Sequence, residues 1–424
     1  MKNFVNLVDT LITEGVDSGL LQLSSEDDFI NGKTVKINRK DLINFGSCSY
    51  LGLEVDERMK YAAMDAVNRF GTQFSASRSY VSIGLYEKLE ALLSQIFQQP
   101  TLAVPTTSLG HISALPTIID ESDVVIKDLQ VHASVQNALT MLRGQGVYVK
   151  TILHNRIDQL ADEIEMLKGK HRHIWYMADG VYSMYGDTLP IREVADLLNQ
   201  YEQFHLYVDD AHGMSWTGMN GSGFVLNAME FHPRMVMATS LNKGFASGGG
   251  ALVFPNELLR KKVRNCGASL MFSGPMQPSS LGAAICSANI HLSPEIKDLQ
   301  ADFHAKMRFF EEKAEQYDLR LINHEFTPIF FIGVGKLDVG FNLFKRMKNA
   351  GYFMNLGMYP AVSRDKTGIR VALNRRLSFE DIDGMLAVMA QELEAALKEE
   401  NSSKDEILSA FGLPNKKNLE TEIN

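Results

Sequence analysis

Lys243 stands in the run Thr239-Ser240-Leu241-Asn242-Lys243-Gly244-Phe245, with Ala246-Ser247-Gly248-Gly249-Gly250 behind it. A lysine held among small residues can lose its proton and attack an aldehyde to give a Schiff base, and glycines let a bulky group approach the backbone. Ser240, three residues earlier, is placed to hold a phosphate oxygen. The competing reading is a surface lysine in a flexible loop. A second run, Val208-Asp209-Asp210-Ala211-His212-Gly213, sets an imidazole three positions after a carboxylate. Two such side chains can address two atoms of one ring. An Asp paired with a pyridine nitrogen keeps that nitrogen protonated and makes the ring an electron sink. A metal pair or a solvated turn are the alternatives, and a metal would want a third protein ligand that is not evident nearby.

A third run, Val104-Pro105-Thr106-Thr107-Ser108-Leu109-Gly110, is a hydroxyl-rich turn from strand to helix. Exposed amides at a helix start bind phosphate without a cation, whereas plain N-capping calls for the same residue types. His132, in Val131-His132-Ala133-Ser134, opens another helix. Ser183 lies in Asp179-Gly180-Val181-Tyr182-Ser183-Met184-Tyr185-Gly186-Asp187, directly after a strand.

The elements around these runs set where they meet. Residues 43–53 read as a strand or extended entry, 57–70 and 86–97 as helices, and 71–84 as a loop rich in small and hydroxyl residues. Strands are expected at 102–105, 123–127, 148–152, 174–178, 205–208, 234–238 and 249–254, with helices at 109–119, 132–145, 157–168 and 191–202 between them. Alternation of this kind implies βαβ units and a mostly parallel sheet, the α/β class. Ligands in such sheets sit beyond the carboxyl ends of the strands, which is where the unusual residues fall. After about residue 290 come a helix (294–317), strands near 319–323 and 328–334, a helix (339–350), a strand near 369–374 and a helix (378–398). The expected division is an arm (1–50), a large domain (51–290), a smaller α+β domain (291–398) and a loosely held polar tail (399–424).

Composition narrows the function. The 424 residues carry 42 Lys+Arg against 51 Asp+Glu, a net charge of −9, so no global basic excess marks a nucleic-acid binder. Cys48, Cys266 and Cys286 form no CxxC pair, which excludes a disulfide framework and a sulfur-based zinc site and fits a reduced cytoplasmic setting. The first residues carry Asp9, Glu14 and Asp17 and lack a long apolar run, unlike a secretory signal. No stretch approaches the ~18 apolar residues of a membrane span. Phe4, Leu7, Val8, Leu11 and Ile12 sit at helical spacing, as in an arm that packs on its own body or a partner. The basic run Arg260-Lys261-Lys262 with Arg264 reads as a solvated helix face rather than a contact to a coenzyme A phosphate.

Taken together, the runs resemble the α-oxoamine synthase family of fold-type I pyridoxal-phosphate (PLP) enzymes. The likeness covers about residues 40–395: YLGL at 50–53, the Ser77-Arg78 loop, the TSLG turn, His132-Ala133-Ser134, DGVYSMYGD, VDDAHG, the SLNKG loop and Gly368-Ile369-Arg370-Val371. It implies a large, mostly parallel sheet domain with a smaller α+β domain, and it implies roles. Lys243 is then the aldimine lysine and proton shuttle, Asp209 the partner of the pyridine nitrogen, His212 the contact to the ring hydroxyl and His132 the imidazole stacked on the ring. Ser108 and Leu109 would give amides to the phosphate and Ser240 its hydroxyl, Ser183 would orient the ring, and Ser273 would reach the phosphate from the neighbouring subunit of a homodimer. Arg370 would grip the carboxylate of a small amino acid. The reaction implied is condensation of that amino acid with an acyl-CoA or acyl-carrier thioester, with decarboxylation to an α-amino ketone. Transamination on the same fold, or an inactive PLP-binding regulator, are the alternatives. Cys48 replaces an Asn, Tyr86 a His and Leu109 an aromatic found in many members, and no arginine precedes Arg39. These departures spare the cofactor contacts and point to an acyl chain other than pimeloyl.

Overall fold

A computed structural model describes residues 2–414, with the side chains of residues 2–4 left aside. The chain divides into two compact units, one of residues 49–183 and 188–301, the other of residues up to 48, 184–187 and from 302 onward. The arm therefore groups with the C-terminal residues, and the short piece 184–187 inside DGVYSMYGD belongs to that unit as well.

The first unit is built on a seven-stranded sheet among the described residues. In spatial order its strands are Thr101–Val104, Gly250–Val253, Met235–Ser240, Phe204–Asp209, Ile174–Asp179, Val124–Asp128 and Tyr148–Ile152. All run parallel except Gly250–Val253, which is antiparallel to both neighbours. Every strand of the alternating pattern is present. Side chains alternate between two cores, one on each face. Ile174, Tyr176 and Ala178 enter one, and Trp175 and Met177 enter the other. Burial on both faces is why these strands read as apolar runs.

The helix Pro278–His291 has no sequence signature of its own. Leu281, Ala284, Ile285, Ser287, Ala288 and Ile290 are buried around most of its circumference, so no apolar stripe stands out. It crosses the helix Glu57–Phe70 at Gly282, where a Cβ would lie 2.3 Å from the Ala62 carbonyl oxygen. His291 closes this helix, fully buried. One ring nitrogen meets the Ser287 carbonyl oxygen at 2.8 Å, and the other lies 2.9 Å from the Ser215 hydroxyl.

In the second unit, Ile329–Gly335, Thr367–Ala372 and Asn355–Gly357 form an antiparallel sheet against Glu295–Gln316 (from residue 302), Leu337–Asn349 and Phe379–Glu399. A separate ribbon pairs Thr34–Ile37, Lys40–Asn44 and Tyr352–Phe353. The strand expected at 319–323 is reduced to one bridge, Leu321 with Ile332. The expected entry strand at 43–53 is confined to Lys40–Asn44 and gives way to a 3-10 turn at Leu53–Val55. The tail is also more structured than its polarity suggested. Lys404–Phe411 is a helix capped by Ser403, with Ile407 and Leu408 buried. Residues 415–424 of the expected tail lie outside the described residues. Among the described residues no helix is long and apolar enough to cross a membrane, and no three His, Cys, Asp or Glu side chains cluster as metal ligands.

Burial pushes the His291 ring down to about 4, well below an ordinary imidazole. The folded chain thus binds fewer protons than the unfolded chain, so this stabilisation is complete above the unfolded value of about 6.5 and is lost as pH falls below it, by at most about 1.4 kcal/mol per pH unit. Denaturation midpoints at pH 7, 6 and 5 are expected to fall with acidity, and less steeply in His291→Gln. Parallel slopes for the two proteins would contradict the assignment.

Candidate active site

The neighbouring parallel strands Ile174–Asp179 and Phe204–Asp209 pair Asp179 with Asp209 at their carboxyl ends. In-register neighbours share a face, so two carboxyl groups are brought side by side at the sheet edge. Beyond that edge lies a cavity of about 330 Å³, in the size range of small-molecule sites. Asp209 and Asp179 line it together with Lys243, His132, His212, Ser108 and Ser240, and so do Thr106, Thr107, Ser134 and Asn242.

Each wall has a local cause. Thr106 caps the helix Thr107–Ile118, its hydroxyl accepting the Leu109 amide at 3.1 Å. The Leu109 amide, expected at a phosphate, is therefore engaged within the turn, and Leu109 is not among the lining residues. The Thr107 hydroxyl donates to the Thr239 carbonyl oxygen, fixing this turn to the strand that leads into Lys243. Gly250 makes that approach feasible, because a Cβ there would meet the Thr107 amide nitrogen at 2.7 Å. Within the lysine loop, Asn242 donates its amide to the Ser240 hydroxyl and accepts the Gly249 amide at 2.9 Å. His132 caps the helix Ala133–Gly144. Its Nδ1 faces the Ser134 hydroxyl at 2.6 Å, and its amide donates to Asp179 Oδ1 at 3.0 Å. Burial lowers the His132 imidazole below its ordinary value, which favours a neutral ring. His212 Nδ1 lies 2.7 Å from the Tyr50 hydroxyl, the tyrosine of YLGL.

The charge on this edge is set by unequal surroundings. Burial works to raise Asp209, but His111, Lys243 and His132 outweigh it and hold the carboxyl below its ordinary value. Its Oδ1 accepts the Ala211 amide at 3.0 Å, and its Oδ2 lies 3.0 Å from His111 Nε2. Burial and the Asp209 charge push Asp179 well above the usual carboxyl range, so Asp179 is the neutral member of the pair. Asp210, next in sequence, is likewise raised well above the usual carboxyl range, by burial and by the Asp209 charge. Its niche is closed by Gly180, Gly213 and Gly223, where Cβ atoms would lie 2.1–2.3 Å from its oxygens. The glycines of DGVYS and DDAHG thus make room for a buried acid.

His111 is the residue that sequence reading missed. It stands four positions after Thr107 on the same helix, and that spacing from the hydroxyl turn was the available signal. Besides Leu109, three expected residues stand outside the lining set. Ser183 is half-buried. Ser273 donates to the Ser269 carbonyl oxygen, and Ser269 in turn donates to that of Leu109, so this segment braces the phosphate turn from behind. Arg370 belongs to the other unit, buried on Thr367–Ala372 with its guanidinium 3.4 Å from Cys48 Sγ. Tyr86, another departure, accepts the Met276 amide and lies under the Arg78 guanidinium at 3.6 Å, a packing role within its own unit.

The donor set suits PLP: a primary amine for its aldehyde, a buried anion for its ring nitrogen, hydroxyls and helix-start amides for its phosphate, and a neutral imidazole for its face.

The family described as aminotransferase class I and II matches residues 40–383. An 8-amino-7-oxononanoate synthase of Thermoanaerobacter pseudethanolicus is 27% identical over 353 residues, covering 82% of this chain and 87% of its own. A serine palmitoyltransferase of Bacteriovorax stolpii is 28% identical over 360 residues, covering 84% of each chain. Among solved structures, serine palmitoyltransferase from S. paucimobilis with a bound PLP–myriocin aldimine matches with a TM-score of 0.85 at 19% identity, over 93% of this chain and 99% of that one. At that identity the likeness is one of fold.

The unequal pair gives a direct expectation. Asp179→Asn should leave PLP binding within a few-fold, because the side chain it replaces is already neutral. Asp209→Asn should weaken it by about tenfold or more, the scale of a lost charge-assisted contact. Absorbance titration with PLP measures both, and a larger loss in Asp179→Asn would contradict the charge assignment.

Proposed function

The chain belongs to the aminotransferase class I and II family, and from that premise we propose that it is a PLP-dependent C-acyltransferase. It joins a small α-amino acid to an acyl-CoA or acyl-carrier thioester, with loss of carbon dioxide, and yields an α-amino ketone. The observation that carries the reading is that Asp209, whose carboxyl His111 and Lys243 hold below its ordinary value, faces the same cavity as Lys243, with His132 and His212 on its walls. The names of the relatives, 8-amino-7-oxononanoate synthase and serine palmitoyltransferase, support acyl transfer over transamination.

When bound, PLP supplies an electrophilic aldehyde and a ring that accepts the electron pair left at an α-carbon. The chain's own groups do the rest. Asp209 holds positive charge at the ring nitrogen, which a neutral acid such as Asp179 does not. Lys243 Nζ takes the α-proton and later returns one. His132 presents an uncharged flat face, which avoids repulsion with a cationic ring. Thr107, Ser108 and Ser240 bind phosphate oxygens at a helix start whose dipole favours negative charge. His212, steadied by Tyr50, turns its remaining nitrogen to the ring oxygen. Arg370 grips the substrate carboxylate in two-point fashion, and Ser273 serves the phosphate of the neighbouring subunit in a cytoplasmic homodimer.

Incubation of the protein with glycine, alanine or serine and acyl-CoAs of graded length is expected to release free thiol and CO₂ in equal amounts. No keto acid should form from the amino acid. Stoichiometric keto acid without thiol release would favour transamination. Lys243→Ala is expected to lose the visible absorbance of the purified protein and at least about a thousandfold in rate, in line with loss of a nucleophile and proton carrier. A borohydride-reduced adduct mapping to another lysine would contradict the role of Lys243.

A further inference from the structure

Tyr207, His111 and Asp209 form a fully connected chain behind the cavity. Tyr207 and Asp209 are two residues apart on one strand, so their side chains leave the same face of the sheet. The helix Thr107–Ile118 packs on that face and inserts His111 between them. His111 Nδ1 lies 2.7 Å from the Tyr207 hydroxyl and Nε2 lies 3.0 Å from Asp209 Oδ2. All three side chains are at most 5% exposed.

Donor counting orders the protons. A buried hydroxyl needs an acceptor for its hydrogen. The Tyr207 phenol is held in its protonated form by burial, and its hydrogen-bond partner among the described residues is His111 Nδ1. Nδ1 must then be the lone-pair nitrogen, and the ring proton must sit on Nε2, from which it is donated to Asp209. We propose that His111 is a positioning residue, set by Tyr207 in the Nε2–H tautomer, whose hydrogen bond fixes the orientation and the charge of Asp209. The Tyr207–His111 pair stays out of the cavity-lining set, to which Asp209 belongs. It acts through Asp209, which needs its negative charge beside Asp179 and not shared with it. The consequence for cofactor binding rests on the functional reading above, whereas the tautomer does not.

Two measurements test this. In full-length protein with ¹⁵N-labelled histidine, with and without added PLP, the His111 signals are assigned by their loss in His111→Gln. At neutral pH they are expected to show a proton on Nε2 and none on Nδ1. A proton on Nδ1, or on both nitrogens, would overturn the proposal. Tyr207→Phe removes the hydroxyl that reserves Nδ1 and is expected to shift these signals, and unchanged signals would refute the role given to Tyr207. In the second measurement, PLP titration, His111→Leu is expected to bind about tenfold to a hundredfold more weakly, while His111→Gln, which keeps an N–H donor, stays within a few-fold. Equal loss in both, or none in either, would show that His111 only fills space. If His111→Leu does not fold, the tautomer in the unaltered protein and in Tyr207→Phe still decides. Because the tautomer is read without cofactor as well, it stands or falls apart from the outcome of the Lys243→Ala assay.

Discussion

Asp209 keeps a negative charge where little water reaches it, and an ion so placed is several kcal/mol too high in energy unless its neighbours compensate. The compensation is specific. One oxygen takes a backbone N–H from Ala211 and the other a ring contact from His111, while Lys243 supplies opposite charge across the cavity. The adjacent carboxyl cannot also ionise without strong repulsion, and Asp179 stays neutral with the His132 amide bound to it. Two acids at neighbouring strand ends therefore hold different protonation states because their surroundings differ.

Much of the first unit serves that arrangement. The strands end together, which sets the acids at one edge and brings Ser240 to the same edge. The helix Thr107–Ile118 has two tasks on adjacent turns: its start offers hydroxyls and amides to the cavity, and one turn later it supplies His111 to the sheet. The tie from Thr107 to Thr239 couples that helix to the lysine loop. Asp210 shows the opposite treatment of the same residue type, an acid kept neutral among three glycines. Catalytic chemistry and structural packing are thus interleaved residue by residue along VDDAHG.

The strands and the cavity walls were readable in the sequence because their signals are local. A buried parallel strand is an apolar run, and Lys243, Asp209, His212 and His132 stand directly after such runs. What escaped reading depends on faces and partners. His111 looks like any helical histidine until Tyr207 and Asp209 are known to share a face two residues apart. Pro278–His291 is buried nearly all round and so has no period to detect. Asp179 was read as part of a motif, yet its neutral state follows from register with Asp209, which no single segment specifies. Leu109 matched the phosphate turn by position, but its amide is taken by the Thr106 cap, a competition between two uses of the same helix start. The tail read as loosely held from its polarity, while Ile407 and Leu408, spaced for one short helix, are buried on Lys404–Phe411.

The central claim is that Asp209 is the ionised member of the pair and Asp179 the neutral one. It is tested most directly by carboxyl ¹³C NMR of protein labelled at aspartate, with the two signals assigned through Asp179→Asn and Asp209→Asn. As pH is raised, the Asp209 carboxyl is expected to reach the shift of an ionised group first, while Asp179 still shows that of a protonated acid. An Asp179 signal at the ionised position near neutral pH, with Asp209 protonated, would contradict the account.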